Sequence, residues 1–249
     1  GDISSIIPDR IDTNTDQVSA GVNFKSANSF AQAGYYGSIF RNHVPSMSFQ
    51  NWAIGPVGAG ATSVMSSTPS NEFSQLNGSI GYNLSKTTKV VASGSYSRAT
   101  QNDAFLTDAA TPVVPVSSLN GLVVSTFFTG RFSARPTKKL NLGAAYRYSD
   151  RHNRTAVNLY QYADASEAAS PNALFPAGPN NPLGAVVAQN ANANRPYSRK
   201  DNAATFDADY ALRKGQWLKA GYDFEKIDRF CDGTWISCAN GPTTNENTM

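Results

Sequence analysis

The residues able to do chemistry are few and unevenly placed. Two cysteines, Cys231 and Cys238, stand seven positions apart in Cys-Asp-Gly-Thr-Trp-Ile-Ser-Cys. Two are too few for a disulfide scaffold, and the spacing is wrong for zinc and too wide for a redox pair. The chemistry expected of them is one loop disulfide formed in an oxidising compartment, worth on the order of 2 to 3 kcal/mol in the entropic account. The histidines, His43 and His152, read as plain surface residues; only Ser149 and Asp150, both common types, lie near His152. No nucleophile elbow, metalloprotease helix, phosphate-binding loop or dinucleotide fingerprint occurs. Without a Cys-x-x-Cys-His string the chain cannot hold c-type haem covalently. The reading is therefore of a protein that is not an enzyme, with no catalytic or metal-binding residue and no cofactor of its own.

What remains are charges at alternate positions: Arg131 and Arg147, then Asp207, Asp209, Lys219, Asp223 and Glu225. Residues two apart share one face of a strand. If all of these lie on one wall, Arg131 or Arg147 could pair with Asp207 or Asp209 on neighbouring strands. The pairs then either satisfy each other or present a mixed-charge surface to a polar passenger, which is water and solute or a protein plug.

The elements that would position these charges follow from a period of two, which recurs eight times. Val18, Ala20, Val22 and Phe24 alternate with Gln17, Ser19, Gly21 and Asn23, and the pattern returns at Ala31, Ala33, Tyr35, Gly37 and Ile39. The unit repeats as Leu76 to Leu84 with Val90 to Tyr96, Leu122 to Phe132 with Leu140 to Tyr148, and Ala204 to Leu212 with Leu218 to Phe224. Such alternation predicts half-buried strands joined as hairpins, over about 16–40, 73–97, 122–149 and 202–228. Between them run far longer connections, about 41–71, 98–120, 150–201 and 229–249. Structureless loops of that length count against a compact soluble domain.

Composition agrees. Of 249 residues 40% are hydrophobic but only 16% charged, against roughly 25% in ordinary soluble domains. Net charge is +3 and aromatics reach 11%, which excludes intrinsic disorder. The positive charge is spread along the chain with no basic stripe, which disfavours a nucleic-acid partner. No apolar run approaches the roughly 20 residues of a spanning helix. Tight turns alternating strictly with long loops are the layout of an all-β, antiparallel outer-membrane β-barrel with short periplasmic turns and long external loops. Its apolar face would meet outer-membrane lipid and its polar face the lumen. Lys25, Lys86, Lys138, Lys139 and Lys214 recur in the short turns and would form a basic periplasmic rim. A soluble β-sandwich is the competing fold, but it leaves the long polar loops and low charge unexplained. The chain starts at Gly1 and stops at Met249 within a polar stretch, so about eight strands of a larger barrel are expected, with any signal peptide outside it.

Particular strings carry a family resemblance. Ile11-Asp-Thr-Asn-Thr-Asp16, Pro69-Ser-Asn-Glu-Phe-Ser-Gln-Leu76, Ser97-Arg-Ala-Thr-Gln-Asn-Asp103 and Ala145-Tyr-Arg-Tyr-Ser-Asp150 together resemble the MtrB/PioB family of outer-membrane proteins, over about Pro8 to Phe230. The resemblance implies a large barrel that sheathes a periplasmic multihaem c-type cytochrome in the bacterial outer membrane, with haem c carried by that partner. It implies a conduit for extracellular electron transfer, with an extracellular cytochrome as a second candidate partner. Arg131, Arg147, Asp207, Asp209, Lys219, Asp223 and Glu225 then become the expected contacts to the partner in the lumen. A Cys-x-x-Cys pair near the start of some members has no counterpart here, so no role is carried over for it. A passive porin for small solutes and a surface adhesin using the long loops are the alternatives from other classes.

Overall fold

The structure is a computed structural model that describes residues 10–50, 62–106, 114–161, 191–231 and 244–248. It contains β1 (Thr13–Lys25), β2 (Ser29–Asn42), β3 (Ser46–Gln50), β4 (Thr62–Ser66), β5 (Asn71–Ser85), β6 (Thr88–Gln101) and β7 (Gly121–Thr137). Then follow β8 (Leu140–Asn153), β9 (Leu159–Gln161), β10 (Ala191–Ala193), β11 (Tyr197–Arg213), β12 (Gln216–Cys231) and β13 (Thr244–Thr248). Nine of these form one antiparallel sheet in the order β1-β2-β5-β6-β7-β8-β11-β12-β13. The short ribbons β3–β4 and β9–β10 decorate two of the long connections, and a bridge between Ala104 and Ser118 ties a third. Among the described residues β1 and β13 do not pair, so the described sheet is open.

Four hairpins turn tightly at one end. Thr87 N donates to Ser85 Oγ at 3.1 Å and Lys139 N to Thr137 Oγ1 at 3.3 Å, local bonds that favour these turns over a continued strand. The last turn, Lys214-Gly215, needs a left-handed residue, supplied by Gly215 at φ 79°. Register shifts at Asn83/Ser85, Ala134/Thr137 and Ala211/Arg213 all lie at this end, where bulges commonly sit at barrel rims.

Register proves that the alternation is coherent across the whole sheet. The pairs Ala33–Gly78, Gly78–Gly94, Gly94–Phe128 and Phe128–Tyr148 run from strand to strand on one face, as do Ala144–Phe206 and Phe206–Tyr222. Directly opposed residues in antiparallel strands point the same way, so every apolar alternate predicted from the sequence falls on one side. That side is uncovered: Val22 is 71% exposed and Ile80 61%. Val124 on this side and Ile227 on the other are buried, both toward the long-loop end. No second layer covers the apolar face among the described residues, so a sandwich is not the architecture.

Two features depart from the sequence expectation. The eight long strands run 13 to 17 residues, longer than the roughly 9 to 11 that cross a bilayer. The extra residues lie toward the long loops, where Asp16, Glu72, Arg98, Asp150 and Lys200 fall on the otherwise apolar face. Backbone pairing continues there after the hydrophobic alternation has stopped. Second, the tail beyond Arg229, read as loop, contains β13, which pairs with Glu225 to Arg229 of β12. The segment Thr-Asn-Glu-Asn-Thr has no apolar alternate, so backbone pairing alone marks it as a strand.

Candidate functional site: the polar wall

On the polar face the cross-strand rows can be followed residue by residue. One runs Gly21, Gly34, Asn77, Ser95, Phe127 and Ser149. Another runs Ser93, Thr129, Arg147, Ala203 and Glu225. All seven charged residues picked out from the sequence lie on this face. From β1 to β6 the face carries no carboxylate; Gln17, Asn23, Gln32, Gln75, Asn77 and serines dominate it, and its lysines, Lys25 and Lys89, sit at the turn end. From β7 to β12 it carries Arg131, Arg147, Asp207, Asp209, Lys219, Asp223 and Glu225.

The pairing differs from the expected one. Arg147 donates from Nη2 to Glu225 Oε1 at 3.0 Å, reaching across β11 over the small Ala203. Lys219 faces Asp209 in direct register, Nζ to Oδ1 3.8 Å. Arg131 opposes Ala145, and in that row the next charge is Asp223, with Thr205 between. Arg131, Asp207 and Asp223 make no ion pair among the described residues. The reason is register: the twofold period fixes which face a charge occupies, but the stagger of neighbouring strands decides whom it meets.

The wall is flattened by glycine. Asp207 lies over Gly143, its cross-strand partner, where any Cβ would collide with the carboxylate. Phe30 lies over Gly81 in the same manner, and Asn77 over Gly34. Strand glycine commonly marks a place where another group approaches closely. Here three long side chains lie down on the backbone instead of projecting into the space before the sheet. Sequence reasoning missed these seats, because a glycine and its occupant are paired by register and not by spacing.

At the long-loop end the wall gains order. Arg199 Nε donates to buried Asp201 at 2.8 Å, and Asn153 N donates to buried Ser198 Oγ at 2.9 Å. Ser70 N donates to Asp103 Oδ2 at 2.6 Å, and the rings of Phe105 and Tyr160 meet edge-on at 5.5 Å, so neighbouring connections brace one another. Cys231, at the end of β12, is disulfide-bonded; Cys238 lies outside the described residues. His43 hydrogen-bonds Asn14 at 2.9 Å, and His152 stacks edge-on against Phe230 at 5.4 Å. Ser149 and His152 lie on opposite faces of β8, so they do not form a nucleophile and base. Among the described residues no group of three His, Cys, Asp or Glu side chains is placed to hold a metal.

A single antiparallel sheet with one continuous uncovered apolar face, a polar opposite face, tight turns at one end and long connections at the other defines the wall of a transmembrane β-barrel. Comparison with known proteins agrees: residues 2–249 match the family described as outer membrane beta-barrel porin, MtrB/PioB. The chain belongs to the MtrB/PioB family and is an outer-membrane protein of porin-like type, not a member of a known enzyme family. It is similar to the outer membrane protein MtrB of Shewanella baltica (strain OS185), 26% identical over 246 residues. That alignment covers 99% of this chain and 32% of the relative, so the chain spans about a third of that protein's length.

Proposed function

We propose that this wall sheathes a periplasmic multihaem c-type cytochrome, holding it across the outer membrane so that electrons pass along the partner's haems to an acceptor or from a donor outside. The observation that carries the reading is the set Arg131, Asp207 and Asp223: charges of both signs that make no ion pair among the described residues, on a polar wall whose other charges pair as Arg147–Glu225 and Lys219–Asp209. A diffusion pore is hydrated by the neutral groups of β1 to β6 and uses lumen charges only to tune ion selectivity. A bound polar protein needs groups that fix its register, and charges left unpaired by the wall are suited to that task.

The sheath has a physical purpose. A haem-bearing protein crossing hydrocarbon unaided would expose polar groups at several kcal/mol each. A barrel with an apolar exterior and flat polar interior removes that cost and lets the partner approach the backbone. Haem stays with the partner; this chain contributes enclosure, insulation and orientation.

The test is purification of the barrel from outer membranes in mild detergent, with a visible spectrum. A c-type Soret band in fixed stoichiometry with the barrel is expected. Arg131→Ala with Asp207→Ala and Asp223→Ala should release the cytochrome at lower salt than wild type. A colourless barrel that conducts ions in planar bilayers would make it a porin and end the proposal.

A further inference from the structure

The tight-turn end of the sheet carries one sign of charge. From Phe24 to Phe30, Leu84 to Val90, Phe132 to Leu140 and Leu212 to Leu218 the chain has eight lysines and arginines and no carboxylate, although the whole sequence has 18 carboxylates against 21 such cations. None of the eight forms an ion pair among the described residues. The four turns also make one rim. Asn83 N donates to Asn28 O at 2.7 Å, Arg135 N to Thr87 O at 2.9 Å and Ala211 N to Lys139 O at 2.8 Å, so each turn is tied to the next. Lys86, Lys138, Lys139 and Lys214 are exposed and lie beyond the last paired residues of their strands. Lys89 differs, because it stands on the polar face with Nζ 5.9 Å from the centre of the Phe30 ring.

Depth in the membrane decides what meets the turn lysines. On the outward face Tyr82, Val90, Leu140, Tyr210 and Leu218 all lie within four residues of one of them. The apolar face therefore runs to the rim itself, and the exposed Tyr82 and Tyr210 mark the aromatic belt of an interface. At the other end charges such as Glu72 and Asp150 separate the apolar face from the loops. Lysines this close to hydrocarbon lie at headgroup depth, and the periplasmic leaflet of an outer membrane is its phospholipid leaflet. An ethanolamine headgroup would bring an ammonium that finds no carboxylate, so the rim favours a headgroup of net negative charge.

We propose that the turn rim is a binding surface for anionic phospholipid. Lys138 and Lys139, with Lys86 on the turn bonded to theirs, take the phosphate of a phosphatidylglycerol, and its acyl chains run over the opposed Val90 and Phe132. The proposal rests on the apolar face meeting lipid and is independent of what the polar face encloses.

The experiment is native mass spectrometry of the full-length barrel, purified from outer membranes, stripped of lipid and titrated with phosphatidylglycerol or phosphatidylethanolamine. Wild type should bind the first phosphatidylglycerol about tenfold more tightly than phosphatidylethanolamine, by a margin that shrinks as salt rises. Lys138→Gln with Lys139→Gln should weaken phosphatidylglycerol about fivefold, and adding Lys86→Gln and Lys214→Gln should erase the preference. Phosphatidylethanolamine, whose two charges offset at the rim, should bind every variant as it binds wild type. Arginine at the same four positions should keep the preference, and Arg98→Gln at the long-loop end should leave it unchanged. Equal binding of the two lipids to wild type, a preference that survives all four glutamines, or a comparable loss in Arg98→Gln would overturn the proposal. Variants that bind lipid as wild type does but lose a co-purifying protein would also overturn it, and would give the rim to an acidic protein partner.

Discussion

The sheet divides into two halves that agree outward and differ inward. From β1 to β6 and from β7 to β12 the outward face carries the same exposed apolar alternates, such as Ile80 at 61% and Phe206 at 54%. Inward, the first half carries no carboxylate and is mostly amide, hydroxyl and glycine, with Lys25 and Lys89 at the turn end, while the second carries the Arg147–Glu225 and Lys219–Asp209 pairs and Arg131, Asp207 and Asp223, which make no ion pair among the described residues. The bilayer is the same solvent for every strand, so it imposes one rule on the outer face. The lumen is not, so the inner face is free to be specialised by region. On the proposed sheath reading, selectivity would lie in β7 to β12, and β1 to β6 would be a hydrated surface of close approach.

The largest effects should therefore ignore the division. Ile80→Arg in the first half and Phe206→Arg in the second should each destabilise the folded barrel by about 2 to 4 kcal/mol, the cost of arginine near the bilayer midplane. The inward neighbours Ser79→Arg and Thr205→Arg should cost far less, because the lumen is polar. Denaturant titration of the barrel refolded into vesicles measures all four. If Ser79→Arg or Thr205→Arg cost as much as the outward changes, the polar face would not be a lumen.

The glycine seats should separate the halves at an intermediate scale. Gly81 is buried beneath the half-buried Phe30 ring, and Gly143 lies beneath the Asp207 carboxylate. In Gly81→Val the ring must leave its seat and lose apolar contact, an overpacking cost of about 1 to 3 kcal/mol. In Gly143→Val the carboxylate swings into water, where it is well solvated, so the loss should be at or below about 1 kcal/mol. The same titration ranks the two. A larger loss at Gly143 would mean that Asp207 is held in place by something other than the seat.

Much of the fold was legible because the bilayer writes a strict code. Period two marked each of the eight long strands, and the cross-strand rows place Val18, Ala33, Ile80, Ala92, Phe128, Tyr146, Phe206 and Tyr222 on one side as that period required. What the code omits was illegible. β13 has no apolar alternate, and the loop-end extensions of the strands put charge on both faces, so nothing in their patterning distinguishes them from loop. At the wall, the face of each charge could be read but not its partner. Arg147 meets Glu225 because Ala203 between them is small and the strands are staggered to align all three, facts of register that no single strand contains.

The smallest effect is the most informative about the lumen. The Arg147 and Glu225 side chains are 50% and 38% exposed. A pair so open to water should contribute only about 0.2 to 1 kcal/mol, falling as salt screens it. A double-mutant cycle of Arg147→Ala and Glu225→Ala in the empty barrel should give a coupling in that range, while Gln75→Ala in the first half should change stability by less. Repeating the cycle with the barrel as isolated from the outer membrane turns the pair into a probe. Water leaving the wall lowers the local dielectric and strengthens the attraction, as in other desolvated pairs. A coupling that rises above about 2 kcal/mol and loses its salt dependence would mean that a partner covers β8 and β12. One that stays small and salt-sensitive would mean that solvent fills the space before this half of the sheet, as an open pore requires.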